Sequence, residues 1–269
     1  MLSDKRAYQD RRRIKLYIRG RLAGRTLVSF CAWVIPQILP WIMRFIQADF
    51  DDVHLGFGDT VIGLSLLMLL LSFVTTTFVT DPMAVRVAAF FIKLSGDPEN
   101  LPSPLSVCDC FGPGYAKLVR AMLLRRLRIF AWALALLCVG ALIPGSFEIV
   151  EVAGIADKVL HMSNVFAAFA LVALGLYTYC DLSYMMVPYV LADDPALSAG
   201  EALRRGRCLT RGRIMELFVL QLSFFGWFMV MPLLIGLYVY PYREGTMAAY
   251  YLAFVKDTPP ESDREPDAA

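Results

Sequence analysis

Residues 129–147, "IFAWALALLCVGALIPGSF", form a run without a single charged side chain. A helix rises about 1.5 Å per residue, so roughly 20 apolar residues are enough to cross the hydrocarbon core of a bilayer. The rest of the chain has a similar character, since 58% of its 269 residues are hydrophobic and only 19% are charged. A soluble domain of this length needs more polar surface, and the sequence therefore predicts an integral membrane protein.

Comparable apolar runs on both sides of this stretch predict further spans. Backbone groups in lipid must be bonded internally, and the alternating segments of a membrane barrel are absent from the sequence, so we expect helices. The predicted fold is a single all-α transmembrane domain over residues 26–255 with about six spans. They lie near 26–47, 61–80, 129–147, 162–189, 214–232 and 236–255.

Two span boundaries depend on proline. Asp81-Pro82 predicts a break that ends the second span, because proline removes a helical hydrogen bond. The region 217–255 is long for one span and short for two. Pro232 and Gly236 favour a break into two short helices, which gives six spans. A five-span alternative places the C-terminus on the outer side of the membrane.

Lysine and arginine are concentrated in alternate connections. The N-terminal arm, residues 1–25, carries nine of them, and the connections at 81–128 and 189–216 are also rich in arginine. The opposite connections hold Lys158 among several acidic residues. The positive-inside rule therefore predicts a cytoplasmic N-terminus. The basic arm is expected to be an in-plane helix at the membrane surface rather than a nucleic-acid-binding segment, and residues 256–269 are expected to be a disordered tail.

The polar stretch 198–212 predicts a short amphipathic helix at the cytoplasmic interface. Ser198 and Glu201 have the spacing of a capping box, and Gly212 is a helix stop. One side of the helix is apolar and is expected to face the bilayer or the bundle. The other side is arginine-rich and can contact anionic lipid headgroups, each arginine contributing about 1 kcal/mol. The candidate headgroup contacts are Arg204, Arg205, Arg207 and Arg211. A topology anchor without any specific ligand is the simpler alternative.

The segment from about Tyr184 to Tyr251 resembles a bacterial family of polytopic membrane proteins, domain of unknown function 975. The resemblance is carried by Leu-Ala-Asp-Asp-Pro at 191–195, Glu-Ala-Leu at 201–203, Leu-Thr-Arg-Gly at 209–212, Gly-Trp at 226–227 and Pro-Tyr at 241–242. Ile-Pro-Gly at 143–145 and Tyr-Tyr at 250–251 fit the same pattern. The resemblance implies a multi-pass protein of the bacterial cytoplasmic membrane, and it implies no activity.

Ionisable residues inside spans are costly and mark candidate sites. Asp181 shares a helical face with Tyr177 and Tyr184, so the three can form a polar site that binds a cation or relays a proton. A structural hydrogen-bond cluster, or an aspartate near enough to the interface to stay hydrated, is the alternative. Arg243 and Glu244 are either an intramembrane pair or, with five spans, part of a loop. Gln37, between two prolines, marks a kinked polar point for which packing is the simpler reason.

Reaction motifs are missing from the sequence. It contains no phosphate-cradling glycine loop, no Gly-x-Ser-x-Gly elbow and no His-Glu-x-x-His. Cys108-Asp-Cys110 lacks nearby partners for a zinc site, and we predict no metal, no cofactor and no enzymatic activity. The first hypothesis is a protein that packs lipids, for which its arginines favour anionic ones, or an unidentified membrane partner through its interfacial helices. The second is a small transporter or channel component that uses Asp181. An intramembrane hydrolase is a distant third.

Overall fold

The computed structural model describes residues 2–52, 58–97, 99–112, 114–143, 147–151, 158–162, 164–229 and 233–257. Its α-helices are α1 (Leu2–Leu22), α2 (Thr26–Asp52), α3 (Gly58–Thr75), α4 (Asp81–Gly96), α5 (Tyr115–Leu142), α6 (Asn164–Ser183), α7 (Val187–Asp193), α8 (Ala199–Thr210), α9 (Ile214–Met229) and α10 (Leu233–Asp257). A π-helical turn, Thr76–Thr80, joins α3 to α4, and a 3₁₀ segment covers Pro104–Phe111. The helical prediction is confirmed.

A small hairpin is the exception to the helical fold. Strands β1 (Phe147–Glu151) and β2 (Lys158–Met162) pair antiparallel, with Phe147 opposite Met162 and Glu151 opposite Lys158. The hairpin lies between α5 and α6, in a connection where the sequence predicted only an acidic loop.

Three helical stretches in the described part of the chain are long and apolar enough to cross a membrane: Thr26–Ile46, Leu67–Gly96 and Phe166–Asp193. A further apolar helix, Ile214–Trp227, is shorter. Large apolar side chains on these helices and on α5 point outward, such as Phe45, Leu69, Trp132 and Leu171, which are each about two-thirds exposed or more. An outer surface of this kind is unfavourable in water and favourable in lipid, because it places apolar groups in contact with hydrocarbon.

The buried side chains come mainly from the C-terminal parts of two of these stretches and from α1, α5, α8, α9 and α10. The hydrophobic cluster unites Phe90 and Phe91 of α4, Val187 of α7, Leu203 of α8 and Tyr250 of α10. In this part of the bundle the helices pack as in a soluble protein, with fully buried aromatic residues. This close packing brings together the polar side chains of the site described below.

The predicted break at Asp81-Pro82 is wrong, because the helix continues to Gly96. Pro82 lies in the first turn of α4, directly after the π-helical turn. A proline leaves the carbonyl four residues earlier without its helical donor, which here is that of Phe78. The Tyr115 hydroxyl of α5 donates a hydrogen bond to the Phe78 carbonyl. The helix thus continues through the proline, because one turn before it is π-helical and a hydroxyl group of a neighbouring helix supplies the missing hydrogen bond.

The region 217–255 forms two helices, α9 and α10, which lie side by side, since Arg243 of α10 donates a hydrogen bond to Gln221 of α9. The break that was predicted between Pro232 and Gly236 differs in position, because Gly236 belongs to α10, while residues 230–232 lie outside the described residues. Helix α10 then passes through Pro241 and continues to Asp257. Arg243 and Glu244 are therefore part of a helix and not of a loop. The predicted disordered tail lies outside the described residues apart from Lys256 and Asp257, which end α10.

The basic N-terminal arm forms α1, which packs against α4 and α10. Ile18 and Leu22 are fully buried, and a Cβ atom on Gly245 of α10 would lie 3.0 Å from Ile18. Lys15 donates to the Ser223 hydroxyl over 2.7 Å and lies 4.7 Å from the centre of the Phe224 ring. Burial lowers the pKa of Lys15, and the neighbouring positive charge of Arg11 acts in the same direction. The arm is thus docked on the helical domain along one face.

Candidate functional site

A cavity of about 200 Å³ lies between α2, α4, α5, α6, α7 and α10. All three stretches that are able to cross a membrane contribute to its wall: α2 through Gln37, α4 through Ala84, and the α6–α7 stretch through Asp181. Its charged and polar lining is Gln37, Arg125, Asp181, Tyr189, Arg243 and Glu244, and its apolar lining is Trp33, Pro36, Ala84, Val87, Ala88, Met185, Pro188 and Met247. The cavity therefore unites Asp181, the pair Arg243 and Glu244, and Gln37, which the sequence suggested as separate polar points.

Asp181 faces an arginine and not the two tyrosines with which it was predicted to pair. The Nη2 atom of Arg125 lies 2.9 Å from Oδ1 of Asp181, and Nε of Arg125 donates to the Tyr184 carbonyl over 3.1 Å. Both charged side chains remain partly accessible, with 21% of Arg125 and 38% of Asp181 exposed. The pair joins α5 to the C-terminal end of α6.

The predicted tyrosine cluster is not formed, and the end of α6 explains why. The helix stops at Ser183, so Tyr184 no longer follows the helical face of Asp181, and its ring is buried in the core. Tyr177 packs against Phe130 of α5, with ring centres 5.3 Å apart. Tyr184 contributes to the site only through its backbone carbonyl.

Arg243 and Glu244 form an ion pair inside the bundle. Nη1 of Arg243 lies 2.6 Å from Oε1 of Glu244, and the Tyr189 hydroxyl donates to Oε2 over 3.1 Å. Nε of Arg243 donates to the Gln221 side chain of α9 over 3.1 Å. The Gln221 amide in turn contacts the sulfur of Met185 at 3.4 Å. The pair thereby connects α10 with α7 and α9.

A third ion pair lies outside the lining of the cavity. Nη2 of Arg126 lies 2.8 Å from Oδ2 of Asp81, at the start of α4. Side chains of consecutive helical residues point roughly 100° apart, so Arg125 and Arg126 reach different neighbours. Helix α5 is thus joined by one arginine to α6 and by the next to α4.

The sequence analysis placed Arg125 and Arg126 in a connection between spans, and it did not predict their ion pairs with Asp181 and Asp81. They belong to α5, which begins at Tyr115, well before the apolar run that predicted the span. Two adjacent arginines just before an apolar run are a usable signal, because such residues on a helix need acidic partners on two neighbouring elements. Tyr189 and Gln221 carried no sequence signal, since their role depends on the contact of α7, α9 and α10.

Helix α8 forms a separate arginine-rich surface. Half of the predicted capping box is present: the Ser198 hydroxyl accepts a hydrogen bond from the Glu201 amide over 3.3 Å, while the Glu201 carboxylate pairs with Arg205. The predicted stop is also present, with Gly212 in the left-handed region at φ 77°. The apolar side faces the bundle and packs against α5 and α7, with Ala202, Leu203, Gly206 and Thr210 buried.

Gly206 brings α8 close to the backbone of α7. A Cβ atom at this position would lie 2.6 Å from Cγ2 and 3.2 Å from the backbone nitrogen of Val187. The Thr210 hydroxyl also donates to the Ser183 carbonyl over 2.8 Å. Helix α8 is therefore fixed to the domain, and its arginines extend from the side that faces away from the bundle.

The four arginines named from the sequence are not equivalent. Arg204, Arg207 and Arg211 are exposed, whereas Arg205 is half-buried. Arg205 lies 3.2 Å from Glu201 and 3.8 Å from Asp194, so its charge is partly compensated within the protein. The outward-facing set is thus smaller than the predicted one.

Cys108 and Cys110 occupy different environments in the 3₁₀ segment. Cys108 is exposed and Cys110 is buried, and burial raises the pKa of the Cys110 thiol. Among the described residues, no group of three or more histidine, cysteine or acidic side chains has an arrangement that can hold a metal ion. The remaining candidate site is thus the polar cavity.

The chain matches one family of known proteins among the comparisons made with its sequence and structure. A family model described as "Protein of unknown function (DUF975)" matches residues 21–258. No curated protein and no solved structure matches the chain. The match covers almost all of the described helices, including every residue that lines the cavity.

The Arg125–Asp181 pair leads to a stability prediction. Arg125→Gln leaves a partly buried carboxylate without its cation, and we expect it to lower the free energy of unfolding by about 1–3 kcal/mol. Adding Asp181→Asn should restore part of this loss, because it removes the uncompensated charge. The measurement is thermal unfolding of the detergent-purified chain, analysed as a double-mutant cycle.

Arg128→Gln is the matched control for this cycle. Arg128 is an exposed residue of the same helix, and its replacement should change stability by less than about 0.5 kcal/mol. Additive effects of Arg125→Gln and Asp181→Asn would show that the pair does not stabilise the domain.

Proposed function

The chain belongs to the DUF975 family of proteins of unknown function, and we propose that it is a non-enzymatic membrane protein that binds a small polar solute in its central cavity. In this role it is a small transporter or channel component. The observation that carries the proposal is the cavity between the three long apolar helices, with two ion pairs in its wall. Charged side chains are costly in a bilayer, and those that face a cavity commonly mark the path of an ion or a substrate.

The size and the lining of the cavity support binding rather than packing alone. At roughly 30 Å³ per molecule, 200 Å³ holds about seven water molecules or one small organic solute. A close-packed structural pair needs no such space. Trp33 and the methionines form apolar walls beside the charged groups, a combination that is common in sites for small molecules.

The proposed placement has six spans in the bacterial cytoplasmic membrane, with the N-terminus inside. The spans are formed by α2, the continuous helix from α3 to α4, α5, the α6–α7 stretch, α9 and α10. The separation of α9 from α10 supports six spans over five. In this arrangement α1, α8 and the first turns of α5 carry the arginines at the cytoplasmic surface, in agreement with the positive-inside rule.

A second candidate function is contact with anionic lipids through α8. Its support is that the apolar side of α8 faces the bundle while Arg204, Arg207 and Arg211 face outward. Guanidinium groups held in this way can bind headgroup phosphates through charge-assisted hydrogen bonds. The two functions are compatible, since they use different surfaces.

The transport proposal predicts that blocking the cavity abolishes solute passage. Ala84→Phe places a ring in the cavity without removing a charge, and Asp181→Asn removes one of its charges. In proteoliposomes we expect the wild-type chain to accelerate the entry of at least one of glycerol, urea, glycine and acetate, measured by stopped-flow light scattering. Both variants should slow that entry at least tenfold.

Leu222→Phe is the control for this measurement, because Leu222 is an exposed apolar residue of α9 and does not line the cavity. It should retain the wild-type rate. Equal rates for wild-type protein, Ala84→Phe and empty vesicles with all four solutes would refute the transport proposal.

The proposed placement predicts the side of the membrane from which a reagent can label α8. In a variant without the six native cysteines, Arg204→Cys should react with a membrane-impermeant maleimide only after the cells are permeabilised. A cysteine at Asp157, in the acidic connection, should react in intact cells. Labelling of position 204 from outside would reverse the proposed orientation.

The lipid proposal predicts a dependence on positive charge at α8. Replacement of Arg204, Arg207 and Arg211 by glutamine should lower the enrichment of phosphatidylglycerol in lipid that copurifies with the protein several-fold, as measured by mass spectrometry. The corresponding lysine variant keeps the charge and should retain most of the enrichment. Unchanged enrichment in the glutamine variant would leave α8 as a topology anchor.

A further inference from the structure

The charges in the cavity wall are balanced. Arg125 and Arg243 supply two positive charges, and Asp181 and Glu244 supply two negative ones. Each cation lies against one anion, at 2.9 Å and 2.6 Å. A solute with a single charge would leave one charge uncompensated in the cavity. Charges that are partly shielded from water interact more strongly than they do in bulk water, so this imbalance is significant.

Both signs of charge also have unused hydrogen-bonding capacity. Arg125 uses Nε and Nη2, and among the described residues its Nη1 has no acceptor. Arg243 uses Nε and Nη1, which leaves its Nη2 without one. Oδ2 of Asp181 accepts no hydrogen bond from the described part of the chain, and the Gln37 amide has no partner there either. The cavity thus offers donors for an anionic group and an acceptor for a cationic one.

These two observations limit the class of solute. A neutral molecule keeps the charge balanced, but it forms weaker hydrogen bonds with the charged donors and acceptors than an oppositely charged group would. A cation or an anion alone uses one set of groups and upsets the balance. A molecule that carries one positive and one negative group uses both sets and adds no net charge. The cavity volume restricts such a molecule to about the size of an amino acid.

We infer that the cavity binds a small zwitterion, with its carboxylate or phosphate held by the free guanidinium nitrogens of Arg125 and Arg243 and its ammonium group held by Asp181. The inference rests on the proposed function and specifies the solute. Trp33 and Met247 provide apolar contact for the carbon chain between the two charged groups. Glu244 is held by Arg243 and Tyr189 and keeps Arg243 in place.

The test compares four probes of similar size that differ in charge. They are β-alanine, propionate, ethylammonium and propionamide, each added to the detergent-purified full-length chain. A ligand that binds only the folded state raises the Tm, and near saturation we expect β-alanine to raise it by about 5 °C. The other three should raise it by less than about 1 °C. Ala84→Phe should remove the effect of β-alanine, and Leu222→Phe should retain it.

Charge variants give a readout that a structural role would not produce. Asp181→Asn leaves the cavity with an excess positive charge, so the preference should change from β-alanine to propionate. Arg125→Gln leaves an excess negative charge, and its preference should change to ethylammonium. A variant that only loses stability would shift the Tm without changing the order of the probes, and that result would overturn the inference.

The inference and the proposed function fail in different ways. If propionamide stabilises the chain as well as β-alanine does, and Ala84→Phe still slows solute entry, the cavity conducts solutes but the assigned class is wrong. If no probe changes the Tm and Ala84→Phe has no effect on entry, both are wrong. A change of preference with charge, together with slowed entry in Ala84→Phe, supports both.

Discussion

The structure depends on the pairing of charges between apolar helices. An ionised side chain away from water is stable only when an opposite charge or a hydrogen bond compensates it. Arg125 and Arg126, adjacent in α5, meet this constraint with Asp181 on one side and Asp81 on the other. The relative positions of α4, α5 and α6 follow from these two contacts. Arg243 and Glu244 play the same part for α7, α9 and α10.

The distribution of apolar side chains is consistent with this constraint. Many large apolar residues face outward on α2, α3, α5, α6 and α9, where they gain little from contact with other protein groups. In lipid the hydrophobic effect does not drive helices together, so close packing and polar contacts must hold them. Gly140 illustrates the packing, because a Cβ atom there would lie 2.8 Å from Phe169 of the neighbouring helix. The ion pairs supply the polar contacts.

The local features of the fold could be predicted from sequence. Apolar runs identified the helical segments, Ser198 and Gly212 marked the two ends of α8, and Pro232 favoured the separation of α9 from α10. These signals are local, since they depend on residues a few positions apart. The partners of Asp181 are not local: Arg125 is 56 residues away in sequence, and no periodicity relates the two. Pro82 was misjudged for the same reason, because the donor that satisfies the Phe78 carbonyl belongs to α5.

The contact of Gly206 with Val187 has a mechanical consequence. Gly206 contributes no side chain at this point, so α8 lies directly against Val187 and the two helices have little freedom to slide independently. The next two residues of α7, Pro188 and Tyr189, belong to the cavity wall. A displacement of α8 by its surroundings is therefore transmitted over a single residue to the hydrogen bond between Tyr189 and Glu244. The position of α8 is thereby coupled to the shape of the cavity.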